Sequence, residues 1–122
     1  MLRNIAIGAI LIFVTTVVHA AGMSLALRPV MDPPPDKKPR SHPYRLFLVA
    51  RVVMIMYLVG IVEVLIWGAA YLISDAVDGF EKAVYFSAVT FTTLGYGDVV
   101  LEGSRRILAS FEAINGIIMF GW

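Results

Sequence analysis

With 122 residues, 59% of them apolar and only 16% charged, the chain is richer in apolar residues than a soluble domain, where about half are apolar and about a quarter charged. A chain this short has no room for a membrane core, a soluble catalytic domain and a regulatory domain together. The formal charge of +1 gives no signal for nucleic acid, and the absence of cysteine excludes disulfides and thiolate metal sites.

Between Arg3 and Arg28 lie 24 residues without formal charge. About 20 such residues cross a bilayer as a helix, so a first transmembrane helix is expected over residues 4–28. The competing reading is a signal peptide cleaved after Ala20, since Val18 and Ala20 are small enough for that role. His19, within this run, is expected at a helix contact or facing water.

All six prolines (Pro29, Pro33, Pro34, Pro35, Pro39 and Pro43) follow, together with Asp32, Asp36, Lys37, Lys38 and Arg40. That composition predicts an extended linker over 29–44. From Arg28 to Arg51 there are six Lys/Arg against two Asp, so the positive-inside rule puts the loop in the cytoplasm and the N-terminus outside. Cleavage after Ala20 would instead leave this basic loop outside, and a retained first helix fits the charge bias better.

An outer helix is expected over 45–74. After Arg51 its next 23 residues are interrupted by one charge, Glu63, eleven residues from either end of the run and so at the midplane. Glu63, Trp67 and Tyr71 recur every four residues and form one stripe. A charge at that depth is costly, which leaves two readings open: a neutral acid hydrogen-bonded between helices, or a proton or gating sensor.

From Asp75 to Glu102 five acids face Lys82 alone, so this segment is expected outside. Phe80 to Thr92, FEKAVYFSAVTFT, is too short to span and suits a re-entrant helix over 79–92, with Asp78 and Glu81 at its N-terminus and Gly79 turning the chain into it. Non-helical backbone at membrane depth must line water or be buried in protein. The next residues, Thr92-Thr93-Leu94-Gly95-Tyr96-Gly97-Asp98, place glycine at alternate positions, which lets successive carbonyls turn to one side and replace an ion's water.

The last run follows Arg106, within an inner helix expected over 104–122. Its sixteen residues give about 24 Å against a hydrocarbon core of about 30 Å, so the helix is expected to continue past Trp122. Arg105 and Arg106 are expected to pair with Glu102 or the acidic segment. Glu112, three residues before Asn115, is either an interhelical hydrogen-bond partner or, with Glu63, a proton sensor.

The segment TTLGYGD resembles the selectivity filter of potassium channels. Its setting of apolar helix, re-entrant helix, filter over 93–98 and apolar helix resembles their pore module over 45–122. The resemblance implies that Thr93, Leu94, Gly95 and Tyr96 coordinate potassium, that Gly97 completes the outer bend, and that Thr92, Tyr85, Phe86 and Asp98 support the filter, with Tyr85 donating a hydrogen bond to Asp98. It also implies Gly116 as a hinge of the inner helix, with close packing the alternative, and Ile117 and Phe120 facing the cavity. Leu94 stands where valine is commonest, on the side away from the ion, and Val89 where some members carry a glutamate.

The expected fold is an all-α membrane protein with three transmembrane helices, a re-entrant pore helix and a filter loop. Four copies are needed to enclose a pore, so a homotetramer in a lipid bilayer is expected. The function implied is passive potassium transport without a cofactor, potassium being the permeant species; the size and the resemblance suggest a bacterial inner membrane. Two alternatives stay open: a proton-coupled transporter or uptake component using Glu63 and Glu112, which would normally show internal repeats that are not visible here, and a modulatory subunit of another channel. No enzyme is expected, because His19 and His42 are far apart and no nucleophile lies next to a plausible base.

Overall fold

The computed structural model of the chain describes residues 1–31 and 41–122, which form four α-helices and one 3₁₀ turn without any strand. Most of the expected linker, with Pro33, Pro34, Pro35, Pro39 and the charges Asp32, Asp36, Lys37, Lys38 and Arg40, lies outside the described residues.

Helix α1 runs Leu2–Met31, starting before and ending after the expected 4–28. Pro29 sits inside its last turn. Proline has no N–H to give the carbonyl four residues back, and the Arg51 guanidinium donates to that Leu25 carbonyl at 3.4 Å. The buried residues of α1 are Asn4, Gly8, Thr15, His19 and Ala26, a stripe of small and polar side chains. Small residues let helices approach closely where no water drives them together. A Cβ at Gly8 would lie 2.4 Å from the Phe111 ring, and one at Gly22 2.3 Å from Val59.

Helix α2, His42–Ile73, starts three residues earlier than expected. Pro43 falls in its first turn, where a missing N–H costs no intrahelical bond. Its buried residues, Glu63, Trp67, Gly68 and Tyr71, all lie in the C-terminal half. The first half exposes Leu46, Phe47, Val53 and Tyr57. Both α1 and α2 are long and apolar enough to cross a membrane.

Gly79, at φ 86°, turns the chain into α3, Phe80–Phe91. A 3₁₀ turn over Gly103–Arg105 leads into α4, Arg106–Gly121, which is 16 residues or about 24 Å long. Among the described residues neither arginine opening α4 forms an ion pair with Glu102 or another acid, although Arg105 does reach the acidic segment, through a backbone carbonyl. Arg105 donates to the Asp75 carbonyl at 2.7 Å and Arg106 to the Leu101 carbonyl at 2.9 Å. These carbonyls lie outside the helical ladders and need donors, which an arginine fork supplies.

Each of α1 and α3 packs against both α2 and α4, so the helices form a ring with α1 across from α3. The core is filled by Trp67, Tyr71, Phe86, Phe91, Leu108 and Met119. Tyr71 meets Phe86 edge-on at 5.0 Å between ring centroids, and Phe91 meets Phe120 edge-on at 5.7 Å. Such pairs orient α3 as well as burying it.

Candidate functional site

Helix α3 ends at the TTLGYGD loop, and its last turn is tied directly to that loop. The Thr92 hydroxyl donates to the Ala88 carbonyl at 2.7 Å, the Thr93 N–H to the Thr90 carbonyl at 2.9 Å, and the Gly95 N–H to the Val89 carbonyl at 3.1 Å. Thr93, Gly95 and Gly97 take φ values of 61°, 51° and 79°, whereas Leu94 and Tyr96 between them stay at negative φ. Alternation of hand along a strand turns successive carbonyls toward the same side, where a regular strand would alternate them. Thr93 is β-branched, and positive φ strains it by about 1–3 kcal/mol. Strain of that kind persists where surrounding bonds over-determine the backbone, as the ties to Thr90 and Val89 do here.

All residues from Thr92 to Asp98 are exposed in the single chain, with Leu94 at 60% and Tyr96 at 67%. At the outer end the Tyr85 hydroxyl donates to Asp98 Oδ2 at 2.8 Å, joining α3 to the residue after the filter. That hydrogen bond to the carboxylate raises the Tyr85 phenol above its ordinary pKa, with lesser contributions from desolvation and the Asp98 charge. Phe86 and Val89 are buried; Phe86 packs on Tyr71.

Behind the loop, Glu112 of α4 is fully buried and accepts two hydrogen bonds. The Tyr71 hydroxyl of α2 donates to one of its oxygens and the Ser87 hydroxyl of α3 to the other, each at 2.5 Å. Ser87 also lies 2.8 Å from the Val64 carbonyl. One turn further along α4, Gly116 brings its backbone against the end of α3: a Cβ there would fall 1.9 Å from the Phe91 carbonyl oxygen. Gly116 is thus a site of close backbone approach. Ile117 and Phe120 are on the open side of α4, 61% and 67% exposed.

Besides the Arg51–Leu25 bond, the side chains of Asn4, Thr15 and His19 fasten α1. Asn4 donates to the Ser104 carbonyl at 2.9 Å, Asn115 donates to the Thr15 hydroxyl at 2.9 Å, and His19 Nδ1 lies 3.1 Å from Glu63 Oε1. Glu63 and Glu112 therefore belong to separate networks. The stripe of Glu63, Trp67 and Tyr71 does face the protein, but Tyr71 serves Glu112 while Trp67 Nε1 has no hydrogen-bond partner among the described residues. Sequence reasoning missed Ser87 and did not find the partner of His19. Ser87 carried a signal, being a hydroxyl in the otherwise apolar buried stripe of Ala83, Phe86, Val89 and Phe91.

A family model described as ion channel matches residues 59–122, just over half of the chain. The chain belongs to this ion channel family. Residues 59–122 are thus a channel module and not a catalytic one. Two-pore potassium channel 1 of Arabidopsis thaliana is 39% identical over 57 residues, which cover 42% of this chain and 16% of that protein. The chain thus spans less than a fifth of the length of that curated relative. No solved structure matches the chain.

Proposed function

We propose that the chain is one subunit of a homotetrameric channel that conducts potassium passively and selectively. The observation that carries this reading is the alternating positive φ at Thr93, Gly95 and Gly97, in a loop tied to the end of a twelve-residue helix too short to span a membrane. A dehydrated monovalent cation needs about eight oxygens, and filters of this type supply them from rings of four identical strands. The carbonyls of Thr93, Leu94, Gly95 and Tyr96 fill that role, with Gly97 at the outer bend. The C-terminus of α3 carries partial negative charge, which stabilises a cation where the bilayer is costliest to it.

In this reading α1, α2 and α4 span the membrane, the N-terminus and filter mouth lie outside, the 29–44 loop is cytoplasmic, and the setting is a bacterial inner membrane. Gly116, Ile117 and Phe120 stand beside the cavity, and no cofactor is used. The test is flux in liposomes containing the purified chain alone. Passive, barium-sensitive potassium flux that is lost in Gly95→Ala supports the channel. Strict dependence on a proton gradient would instead favour a proton-coupled transporter, and no flux without a second protein would favour a modulatory subunit.

One observation favours proton control of the same channel through Glu63. It meets His19 of α1 at membrane depth beside a cavity of about 310 Å3, which Tyr57 also lines; Phe91 of α3, Met119 and Phe120 of α4 and the following Trp122 complete the lining there, none of them charged. Glu63→Gln that leaves the pH dependence of flux unchanged would remove this role.

A further inference from the structure

We infer that Glu112 is a positioning residue for the filter: its carboxylate fixes the height and rotation of α3 against α2 and α4, and so the place of the carbonyls that follow α3. The inference rests on the potassium-channel reading above.

Helix α3 has only twelve residues and is joined at both ends to turns or loop, so the chain itself gives it little orientation. Its other buried side chains, Ala83, Phe86, Val89 and Phe91, pack by apolar contact, which is non-directional and tolerates small slides and rotations. A hydrogen bond is directional and tolerates neither. Ser87 is the hydroxyl of that stripe, and its donation to Glu112 is the side-chain hydrogen bond that joins α3 to α4. The second oxygen of Glu112 is taken by Tyr71, so one carboxylate joins three helices.

The spacing converts this anchor into control of the loop. Ser87 and Phe91 are four residues apart on α3, as are Glu112 and Gly116 on α4. The two helices meet at both heights, through the Ser87–Glu112 bond and through the Phe91 carbonyl against Gly116. Between these rungs lies Val89, whose carbonyl accepts the Gly95 N–H. A shift of α3 at Ser87 is carried through Val89 to Gly95, the middle of the loop.

The carboxylate also explains the residue type. Two hydroxyl donors from different helices need two acceptors on one side chain, and glutamate has the reach to offer both. Glutamine offers one acceptor and an amide donor. Ser87 then turns its hydroxyl to the Val64 carbonyl and accepts from the amide, so the junction survives. Leucine keeps the volume and loses the junction.

The experiment measures the potassium-to-sodium permeability ratio of the full chain in planar bilayers, for wild type, Glu112→Gln, Glu112→Leu and Ser87→Ala. Expected are a ratio near wild type for Glu112→Gln, and a fall of about tenfold, the ratio equivalent of one lost directional bond, for Glu112→Leu. In a Glu112→Leu background Ser87→Ala lowers the ratio by less than it does in the wild type, because the Ser87–Glu112 bond is already absent. A Glu112→Leu channel with the wild-type ratio overturns the inference. If Glu112→Leu does not assemble, Ser87→Ala decides: a clear fall in the ratio supports the anchor, and the wild-type ratio overturns it. A wild type that does not select potassium would instead defeat the channel reading.

Discussion

Gly116 and Tyr85 show how much of this site depends on single side chains, or on their absence. At Gly116 a methyl group would meet the Phe91 carbonyl oxygen at 1.9 Å, and that oxygen belongs to backbone that cannot turn aside. Gly116→Ala is therefore expected to force α3 and α4 apart and to cost about 1–3 kcal/mol, seen as a lower melting temperature of the detergent-solubilised protein. An unchanged melting temperature would mean that the close approach does not matter. Tyr85 holds the outer end of the loop through Asp98. Because its phenol pKa is raised, the neutral donor form is favoured in the folded state. Its contribution is complete below the unfolded value of about 10 and is lost only as pH rises through the higher folded value. Conduction should thus be steady, as far as Tyr85 is concerned, between about pH 7 and pH 9, and Tyr85→Phe should shorten open times at every pH in that range. A Tyr85→Phe channel with wild-type open times would show that the tie is not needed. The intramembrane acids were legible in the sequence because charge stands out in an apolar run. Their partners were not, since pairing His19 with Glu63 or Tyr71 with Glu112 requires the rotation and register of helices far apart in the chain.

Helix α1 lies outside the residues matched by the ion channel family, yet it packs against two of the helices that carry the site. The glycines Gly8 and Gly22 let it approach Phe111 and Val59, and Asn4, Thr15 and His19 fix its register through directional bonds. Removing it would strand Glu63 and the Asn115 amide at membrane depth, where unpaired polar groups are costly. It is therefore expected to stay with the mature protein. Mass spectrometry of protein extracted from membranes should find peptides from Leu2 to Ala20, and a mature N-terminus at Ala21 would contradict this. The helices were legible from apolar run length, and the short one from being too short to span. Their ends were less so: Pro29 and Pro43 argue for linker by composition, but Pro43 falls in a first turn, where a missing N–H costs no intrahelical bond, and the Leu25 carbonyl that Pro29 leaves without its donor takes the Arg51 guanidinium instead.

As a whole molecule, the chain buries polar groups between its helices and leaves its filter loop open. Leu94, Tyr96, Ile117 and Phe120 are all more than half exposed, and in the proposed homotetramer they would face the other copies or the pore. The backbone of the TTLGYGD loop was partly legible in the sequence, because glycines at alternate positions accept the positive φ that Gly95 and Gly97 adopt, whereas nothing in the sequence marked Thr93 for the same conformation. The ring that sets α1 across from α3 was not, because run length and charge give topology and depth but not which helices touch. The central claim is that this loop selects potassium. It is tested most directly by the reversal potential of currents through the purified chain with potassium on one side of a planar bilayer and sodium on the other. The account predicts a reversal potential near the potassium limit, displaced toward zero in Gly95→Ala where any current remains. A wild-type reversal potential near zero, with currents of comparable size carried by either ion, would contradict it.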